Sequence, residues 1–347
     1  MMDNYSIDNH KLMYHPERVY KWMKGDITYP IFTEISLTSR CNNRCKFCAY
    51  NFFLNYKSID IDTDILINNI NSMKDCGVKA IMYGGEGEPL LHKDFAKLVS
   101  YTNDIGIDVS LTTNGLLFDS IMAKRVLPYL SWVKFSIDAG TSEDYAFIHG
   151  TSKENYKKVL DNISRASFIK RLKKYDCTIG TQVLLFKENI DNLEHLIKFL
   201  VYAKPDYLVI KPYSENKNQN IKTLHQPTKN QVNNFKKMIK KYEDKLNIIF
   251  REKAFENIIE DKSYDICYAS EFMAYINTLG DVYSCTNFLG FEEYKYGNIY
   301  KDSFKNIWKN IKEINIDISK CRKACRLDPI NRYLWRLKNP QNHDNFI

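Results

Sequence analysis

The chain has 347 residues, of which 44% are hydrophobic, and a formal net charge of +8 at pH 7. A chain of this length can bury a substantial core, which predicts one large domain and a smaller one. No run approaches the roughly 20 apolar residues of a membrane span, and the N-terminal stretch up to Gly25 lacks the apolar segment of a signal peptide. Nine cysteines without an export signal indicate a reducing compartment and metal ligation rather than disulfides. We therefore expect a cytoplasmic protein with no membrane contact.

The positive charge alone does not predict a nucleic-acid partner. Lysines are spread over helical patterns such as residues 230–245, mixed with Asn and Glu, which is typical of a solvated helix face. The densest basic run, residues 170–174, is more typical of a helix end than of a phosphate track. RNA or DNA is therefore the less favoured substrate class.

In chain order, residues 1–30 are predicted to form an N-terminal helical extension, and strands then alternate with helices up to about residue 213. This alternation predicts an α/β fold with a parallel sheet and right-handed crossovers. About six βα units are too few for a closed eight-fold barrel, so a partial (β/α)6 TIM-like barrel is expected. The predicted strands are 32–37, 80–83, 108–112, 132–137, 178–186 and 207–211, and the clearest helices are 61–75, 94–105, 153–172 and 191–203.

Three thiols follow the first strand in the run TSRCNNRCKFCAY. Cys41, Cys45 and Cys48 are spaced C-x3-C-x2-C, with Phe47 just before the last. Structural zinc and ordinary electron-transfer clusters take four protein ligands, whereas three thiolates leave one iron of a cluster open. An open iron can chelate a small molecule through an amine and a carboxylate. A zinc knuckle with its fourth ligand elsewhere is the alternative.

Polar or glycine-rich turns follow the next three strands. Residues 78–83 lead into Gly84-Gly85-Glu86-Gly87-Glu88-Pro89, where glycines let the backbone approach a ligand closely. Residues 108–113 lead into Asn114-Gly115, and residues 132–137 contain Ser136 and end at Asp138. Polar groups at the carboxyl ends of barrel strands are where binding residues collect. Helix or turn capping is the alternative role for Thr113, Ser136 and Asp138.

The cysteine motif and these strand ends, in this order, resemble the radical S-adenosylmethionine (radical SAM) superfamily. The resemblance implies a [4Fe–4S] cluster on Cys41, Cys45 and Cys48, with Glu86 holding the methionine ammonium of SAM. It also implies a reducing partner such as flavodoxin or ferredoxin. At Ile148-His149-Gly150 relatives commonly carry Arg-Gly, and the sequence leaves open whether His149 replaces that Arg. The residues implied to surround SAM are Phe47, Gly84, Gly85, Glu86, Asn114, Ser136 and Asp138.

The C-terminal third contains a second group of thiols. Residues 273–277 and 282–285 predict a hairpin turning at Gly280-Asp281. With the flanking cysteines, this segment resembles the twitch or SPASM extensions of radical SAM enzymes. The resemblance implies one auxiliary [4Fe–4S] cluster, and a zinc ribbon is the alternative. The ligands would be Cys267, Cys285, Cys321 and Cys325.

Four units result from this reading: the extension at 1–30, a radical SAM partial barrel at 31–225, a connecting helix at 226–260, and a hairpin-plus-helix auxiliary cluster domain with the C-terminal tail at 261–347. A Phe-Ile end suggests that the tail docks on the protein. Catalytic residues are not identified by the sequence. Lys211 and Tyr213, at the end of the last barrel strand, are candidate substrate contacts. Cys177 is a candidate hydrogen-atom donor, with core packing the more ordinary role for it and for Cys76.

The function implied by the resemblance is cleavage of SAM to a 5′-deoxyadenosyl radical that abstracts a hydrogen atom from the substrate. The leading hypothesis is a polar small-molecule substrate such as a sugar or cyclitol, oxidised or epimerised. The alternative is a SPASM-type enzyme that modifies a peptide or protein, which the short N-terminal extension makes less favoured. RNA modification and a non-enzymatic iron–sulfur scaffold are further alternatives.

Overall fold

Short apolar strands alternate with amphipathic helices, and the strands pair into one sheet. The computed structural model describes residues 5, 10–48, 50, 58–214, 224–257, 261–311 and 316–346. Within these ranges ten strands form one sheet in the order β10-β9-β8-β1-β2-β3-β4-β5-β6-β7. The strands are β1 Phe32–Ile35, β2 Ala80–Tyr83, β3 Asp108–Thr113, β4 Trp132–Ser136, β5 Thr178–Leu185, β6 Tyr207–Pro212, β7 Ile248–Phe250, β8 Met273–Ile276, β9 Asp281–Tyr283 and β10 Lys295–Asn298.

The helices connect successive parallel strands, as crossover connections require. Some begin at a capping side chain: Asp62 accepts hydrogen bonds from the backbone N–H of Asp64 and Ile65 at the start of α2, and Asp119 caps α4 in the same way. The helices are α1 Pro16–Lys24, α2 Thr63–Asp75, α3 Phe95–Asp104, α4 Ser120–Val126, α5 Ser142–His149, α6 Glu154–Lys173, α7 Leu193–Ala203, α8 Lys229–Ile239, α9 Glu252–Glu256, α10 Phe304–Lys309 and α11 Asp328–Lys338.

Strands β1 to β7 pair in parallel with their neighbours, and β8 adds in parallel on the other side of β1. Strands β9 and β10 continue from β8 as an antiparallel pair. The predicted α/β partial barrel with a hairpin-plus-helix C-terminal unit is therefore confirmed.

The structure differs from the sequence-based expectation at two places. Residues 226–260, expected to be a connecting helix, contain α8, the strand β7 and α9. The hairpin β8–β9, expected in a separate small domain, is part of the barrel sheet. The strands β7, β8 and β9 are only three or four residues long. A short apolar run in the sequence does not reveal which strand it pairs with.

The two faces of the sheet differ in chemistry because successive side chains of a strand alternate. Val133, Phe135 and Ile210 lie in the main hydrophobic core together with side chains of the helices. Their strand neighbours Lys134 and Lys211 lie on the opposite face, which lines the lumen of the partial barrel. The lumen face therefore carries polar groups such as these two lysines, and the helix-covered face is apolar.

None of the helices that the structure describes combines the length and apolar composition that crossing a bilayer requires. The expected docking of the C-terminal tail is not seen at Phe346, which is 82% exposed; Ile347 lies outside the described residues. A salt bridge between Arg336 and Asp344 ties the tail back to α11.

Gly140, in the loop after β4, should be intolerant of a side chain. A Cβ there would overlap the backbone carbonyl of Asn192, just before α7. Gly140→Ala should lower the unfolding free energy by about 3 kcal/mol, at the upper end of overpacking costs. The control is Gly25→Ala, where nothing lies within 4 Å but φ is +76°, so it should cost about 1 kcal/mol. Thermal unfolding followed by circular dichroism compares the two. Equal melting temperatures would contradict this close approach.

Candidate active site

The first thiol loop follows β1 and is held against the loop after β2. The backbone N–H of Glu88 donates to the carbonyl of Arg40 at 2.8 Å. Gly87 has φ +65°, and a Cβ there would overlap the carbonyl oxygens of Thr38 and Arg40. The glycine at position 87 therefore allows the two loops to lie in contact, which places the glycine-rich turn beside Cys41.

Cys41, Cys45 and Cys48 lie together at the end of the lumen. Burial, followed by the neighbouring thiols Cys48 and Cys41, holds the pKa of Cys45 well above its usual value. Burial raises the pKa of Cys41 to about 11. The backbone N–H of Asn43, 3.5 Å from the Cys41 sulfur, lowers this pKa and so opposes the effect of burial. Within the described ranges, no three His, Cys, Asp or Glu side chains form a group suited to a single metal ion.

His149 contacts this loop through a defined tautomer. The backbone N–H of Asp138 donates to Nε2 of His149 at 3.1 Å, and burial lowers the pKa of the imidazole to about 3. The ring is neutral and Nε2 accepts, so Nδ1 carries the proton. Nδ1 lies 3.3 Å from the sulfur of Cys45. His149 therefore donates a hydrogen bond from Nδ1 to the sulfur of Cys45.

The glycine-rich turn closes on the C-terminal hairpin. Gly85 has φ +88°, and a Cβ there would lie 2.5 Å from both Ser36 Oγ and Tyr275 OH. Oε2 of Glu86 accepts from the hydroxyl of Thr278 at 2.7 Å and from its backbone N–H at 3.2 Å. Oε1 is buried without a hydrogen-bond partner among the described residues. Burial raises the pKa of Glu86 to about 7.

Glu88 is a site residue that the sequence analysis did not single out. Its Oε1 accepts from the hydroxyl of Thr113 at 2.6 Å, and its Oε2 from the backbone N–H of Asn114 at 2.9 Å. The Asn114 side chain in turn donates to Asn42 at 2.6 Å and lies 4.0 Å from the sulfur of Cys41. Glu88 therefore positions the strand end beside the thiol loop. The second acid of GGEGEP was the available signal.

The other predicted SAM-site residues lie near the same end of the lumen. Phe47 packs edge-on against His149 at 5.6 Å between ring centroids. Oδ1 of Asp138 accepts from the backbone N–H of Leu184 at 2.5 Å, and Oδ2 lies 3.5 Å from Nε2 of His149. Burial raises the pKa of Asp138 to about 7. Ser136 is half-buried on β4, and Gly84 donates its N–H to the carbonyl of Ile35.

The four C-terminal thiols form a second group. Burial raises the pKa of Cys267 far above its usual value, and Cys325, Cys285 and Cys321 raise it further. Each of three sulfurs has a nearby N–H donor: Asn331 Nδ2 at 3.5 Å from Cys267, Asn287 N at 3.4 Å from Cys285, and Leu327 N at 3.4 Å from Cys325. Such donors suit sulfur atoms that carry negative charge.

The three candidate catalytic residues have different surroundings. Lys211 lies on the lumen face of β6, and Tyr213 is buried in a cluster with Phe186 and Ile148. Cys177 is 1% exposed in the main hydrophobic core, on the helix-covered face, where its S–H contacts the carbonyl of Thr178. The structure therefore brings Lys211 to the lumen and leaves Cys177 in core packing.

Two protein families match the chain. The radical SAM superfamily matches residues 35–200, and the iron–sulfur cluster-binding SPASM domain matches residues 267–327. The first segment includes the loop of Cys41, and the second includes all four C-terminal thiols. The chain is thus a radical SAM protein with a SPASM iron–sulfur domain.

Curated relatives and solved structures agree with this assignment. The chain is 26% identical over 183 residues to the tungsten-containing aldehyde ferredoxin oxidoreductase cofactor-modifying protein of Pyrococcus furiosus, covering 51% of this chain and 49% of that protein. It is 33% identical over 177 residues to GTP 3′,8-cyclase of Limosilactobacillus fermentum, covering 50% of each. The match therefore spans about half the length of these relatives.

Two solved structures share the fold at low sequence identity. Streptococcus suis SuiB bound to precursor peptide SuiA aligns with a TM-score of 0.67 and 19% identity, covering 95% of this chain and 78% of SuiB. Native anSMEcpe with bound AdoMet and Cp18Cys peptide aligns with a TM-score of 0.59 and 19% identity, covering 81% of this chain and 80% of that chain.

The radical SAM domain implies a [4Fe–4S] cluster and SAM, and the SPASM domain implies auxiliary iron–sulfur clusters. The residues present fit these groups. Three thiols and four thiols are grouped at two places. Oε1 of Glu86, buried with no hydrogen-bond partner in the described part of the chain, is suited to an ammonium group.

Glu86 should make the stability of the iron-free protein depend on pH. Its pKa is raised from 4.5 to about 7 in the folded chain, so the folded state binds the proton more tightly. Its contribution to stability is greatest below the unfolded pKa and is lost as pH rises through 7. Glu86→Gln should therefore raise the unfolding free energy at pH 8 by up to about 3 kcal/mol and change it little at pH 5.

Urea unfolding at both pH values measures this difference, with Glu293→Gln, an exposed position, as the control. If the unfolding free energy of Glu86→Gln differed from that of the wild type by the same amount at pH 5 and pH 8, the burial effect would be contradicted.

Proposed function

We propose that this chain is a radical SAM enzyme that abstracts a hydrogen atom from a peptide or protein side chain bound in the barrel lumen. The observation that carries the proposal is the grouping of three thiols at one end of the lumen, with a second group of four thiols near the C-terminal hairpin. A peptide substrate is supported by the fold shared with SuiB and anSMEcpe, both solved with bound peptide. This reading is better supported than the small-molecule hypothesis of the sequence analysis.

In this proposal, Cys41, Cys45 and Cys48 hold the SAM-binding cluster. A reduced cluster held there would supply the one electron that cleaves SAM to methionine and a 5′-deoxyadenosyl radical, which would take a hydrogen atom from the substrate. Oε1 of Glu86, which is buried without a hydrogen-bond partner among the described residues, would accept a hydrogen bond from the methionine ammonium, and Asn114 and Asp138 hold the surrounding strand ends in place. A flavodoxin- or ferredoxin-type protein supplies the electron.

Cys267, Cys285, Cys321 and Cys325 hold one auxiliary [4Fe–4S] cluster in this proposal. The hairpin that carries Cys285 is paired to β1 through β8, so the auxiliary group lies at the lumen wall. A cluster held there would supply an acceptor for one electron at the lumen wall. The N–H donors near three of the four sulfurs would suit thiolates that carry negative charge.

A second candidate is the polar small molecule. It is favoured by the relatives named for a nucleotide, such as GTP 3′,8-cyclase, and by the cationic groups of the lumen described below. The two candidates differ in the size of the substrate and share the hydrogen abstraction.

Deuterium transfer should identify the substrate class. Cells that make this protein are grown in deuterated medium, and their extract is separated into a peptide pool and a pool of small metabolites. The reconstituted enzyme with SAM and dithionite should form deuterated 5′-deoxyadenosine from the peptide pool, measured by mass spectrometry. Deuterium from the metabolite pool alone would instead establish the second candidate.

The variant that replaces Cys41, Cys45 and Cys48 by Ala should lose this product and keep about half of the iron. The matched control is the Cys76→Ala, Cys177→Ala double variant, which removes two core thiols and should keep the iron and the product. 5′-Deoxyadenosine formed by the triple variant would refute the assignment of the SAM-binding cluster.

The hydrogen bond from His149 should set the reduction potential of that cluster. Donors to cluster sulfurs stabilise the reduced, more negative state. A hydrogen bond worth about 1 kcal/mol corresponds to roughly 40–50 mV for a one-electron couple. His149→Ala should therefore lower the midpoint potential by about that amount in an EPR-monitored redox titration. His225→Ala, at a surface position where Nδ1 lies 2.6 Å from Oε1 of Glu188, is the control. An unchanged potential in the His149 variant would show that Nδ1 does not donate to the sulfur.

A further inference from the structure

The lumen wall opposite the glycine-rich turn is cationic. Lys134 on β4 lies between Val133 and Phe135, which face the helix-covered core, so its amine faces the lumen. The ring of Trp132, on the same face, lies 5.2 Å from its Nζ. Lys211 on β6 follows the core residue Ile210, and so it also faces the lumen.

Two arginines complete this wall. Arg251 follows β7 and donates its backbone N–H to the carbonyl of Ile210 at 3.1 Å, which continues the ladder beside Lys211. Arg326, next to Cys325, reaches across to β1, where its Nη1 lies 2.6 Å from Oε2 of Glu34. The Arg326 side chain is 43% accessible while that of Glu34 is 3% accessible. The guanidinium therefore keeps an open side for a further partner.

Like charges lie near one another along this wall. Lys134 and Lys211 interact electrostatically with Arg251 and Arg326, while Glu34 offsets part of this effect on Lys134 and Asp138 part of the effect on Lys211. Burial, and then Arg326 and Arg251, lower the pKa of Lys134 to about 8. Burial, and then Lys134, Arg251 and Arg326, hold the pKa of Lys211 well below its usual value. An added negative charge would offset both effects.

A neutral polar group faces the same space. Gln182 on β5 pairs in register with Ser136, and both lie on the lumen face. Its Oε1 is buried and has no hydrogen-bond partner among the described residues. A ligand held by the cations would therefore also meet a side-chain amide that can orient it.

We propose that Lys134 and Lys211, together with Arg326, form an anion-binding subsite that holds a phosphate or carboxylate group of the substrate. The inference rests on the proposed function, because it places the substrate in the lumen. Lys211 interacts electrostatically with Asp138, and Asp138 contacts His149 beside Cys45. Arg326 directly follows Cys325 in the chain. A substrate anchored by its anionic group thus lies between the two thiol groups. A phosphorylated small molecule and an acidic peptide side chain both supply this chemistry.

The rival assignment gives these cations to the carboxylate of SAM itself. The experiment separates the two by measuring anion binding to the reconstituted protein already saturated with SAM, and SAM binding on its own. Isothermal titration calorimetry at constant ionic strength uses two probes: inorganic pyrophosphate, and a five-residue polyglutamate peptide with polyglutamine as its neutral match. The wild type should bind at least one of the two anionic probes and not polyglutamine.

The Lys134→Gln, Lys211→Gln double variant should bind the anionic probe at least about tenfold more weakly, because it removes two charge-assisted contacts. The control is the Lys157→Gln, Lys158→Gln double variant on the exposed face of α6, which changes charge equally and should bind as wild type does. Lys211→Arg keeps the charge and should retain most of the affinity. Iron content and circular dichroism identify variants that have not folded. If the lumen double variant does not fold, Lys211→Arg and the single variants Lys134→Gln and Lys211→Gln are compared instead.

Preference for pyrophosphate assigns a phosphorylated substrate to the subsite, and preference for polyglutamate assigns an acidic peptide. Equal binding of the anionic probes by the wild type and the lumen double variant would overturn the subsite. A loss of SAM affinity as large as the loss of probe affinity would overturn it as well, in favour of the SAM carboxylate. Failure of the proposed function would appear separately, as a wild type that binds probes but forms no 5′-deoxyadenosine.

Discussion

The parallel pairing of β1 with β8 is the contact on which the site depends. Phe32 to Ile35 align with Met273 to Ile276, so a strand from the last quarter of the chain becomes a wall of the barrel. This pairing places Tyr275 within 2.5 Å of Ser36 and Thr278 against Glu86. It also brings Arg326 to Glu34. The glycine-rich turn after β2, the lumen and the group of four C-terminal thiols therefore lie next to one another.

Charge is distributed unevenly around the lumen as a result. The buried acids Glu86, Glu88 and Asp138 have pKa values raised to about 7, in each case first by burial. Lys134 and Lys211 lie on the strands β4 and β6, and the pKa values of their amines are lowered. Buried charges are stable when they are paired, so the acids are suited to a bound ammonium and the bases to a bound anion. SAM supplies the ammonium, and the substrate supplies the anion in our proposal.

Sequence patterns predicted the strands that carry the site because period and spacing are local properties. Five of the six predicted barrel strands begin and end within one residue of their observed bounds, and β1, expected to reach residue 37, ends at Ile35. Local patterns do not specify partners, so the pairing of β8 with β1 and the short strand β7 were missed. Glu88 was passed over because the motif already offered Glu86. The tautomer of His149 and the convergence of Lys134, Lys211 and Arg326 depend on tertiary contacts between residues far apart in sequence.

The central claim is that the chain holds two clusters and that only the one on the Cys41 loop binds SAM. EPR spectroscopy of the dithionite-reduced, reconstituted protein, recorded with and without SAM, tests it most directly. We predict two [4Fe–4S] signals, of which SAM shifts one; the signal that SAM does not shift should remain when Cys41, Cys45 and Cys48 are replaced. A spectrum that SAM leaves unchanged, or a SAM-sensitive signal that survives in the triple variant, would contradict the account.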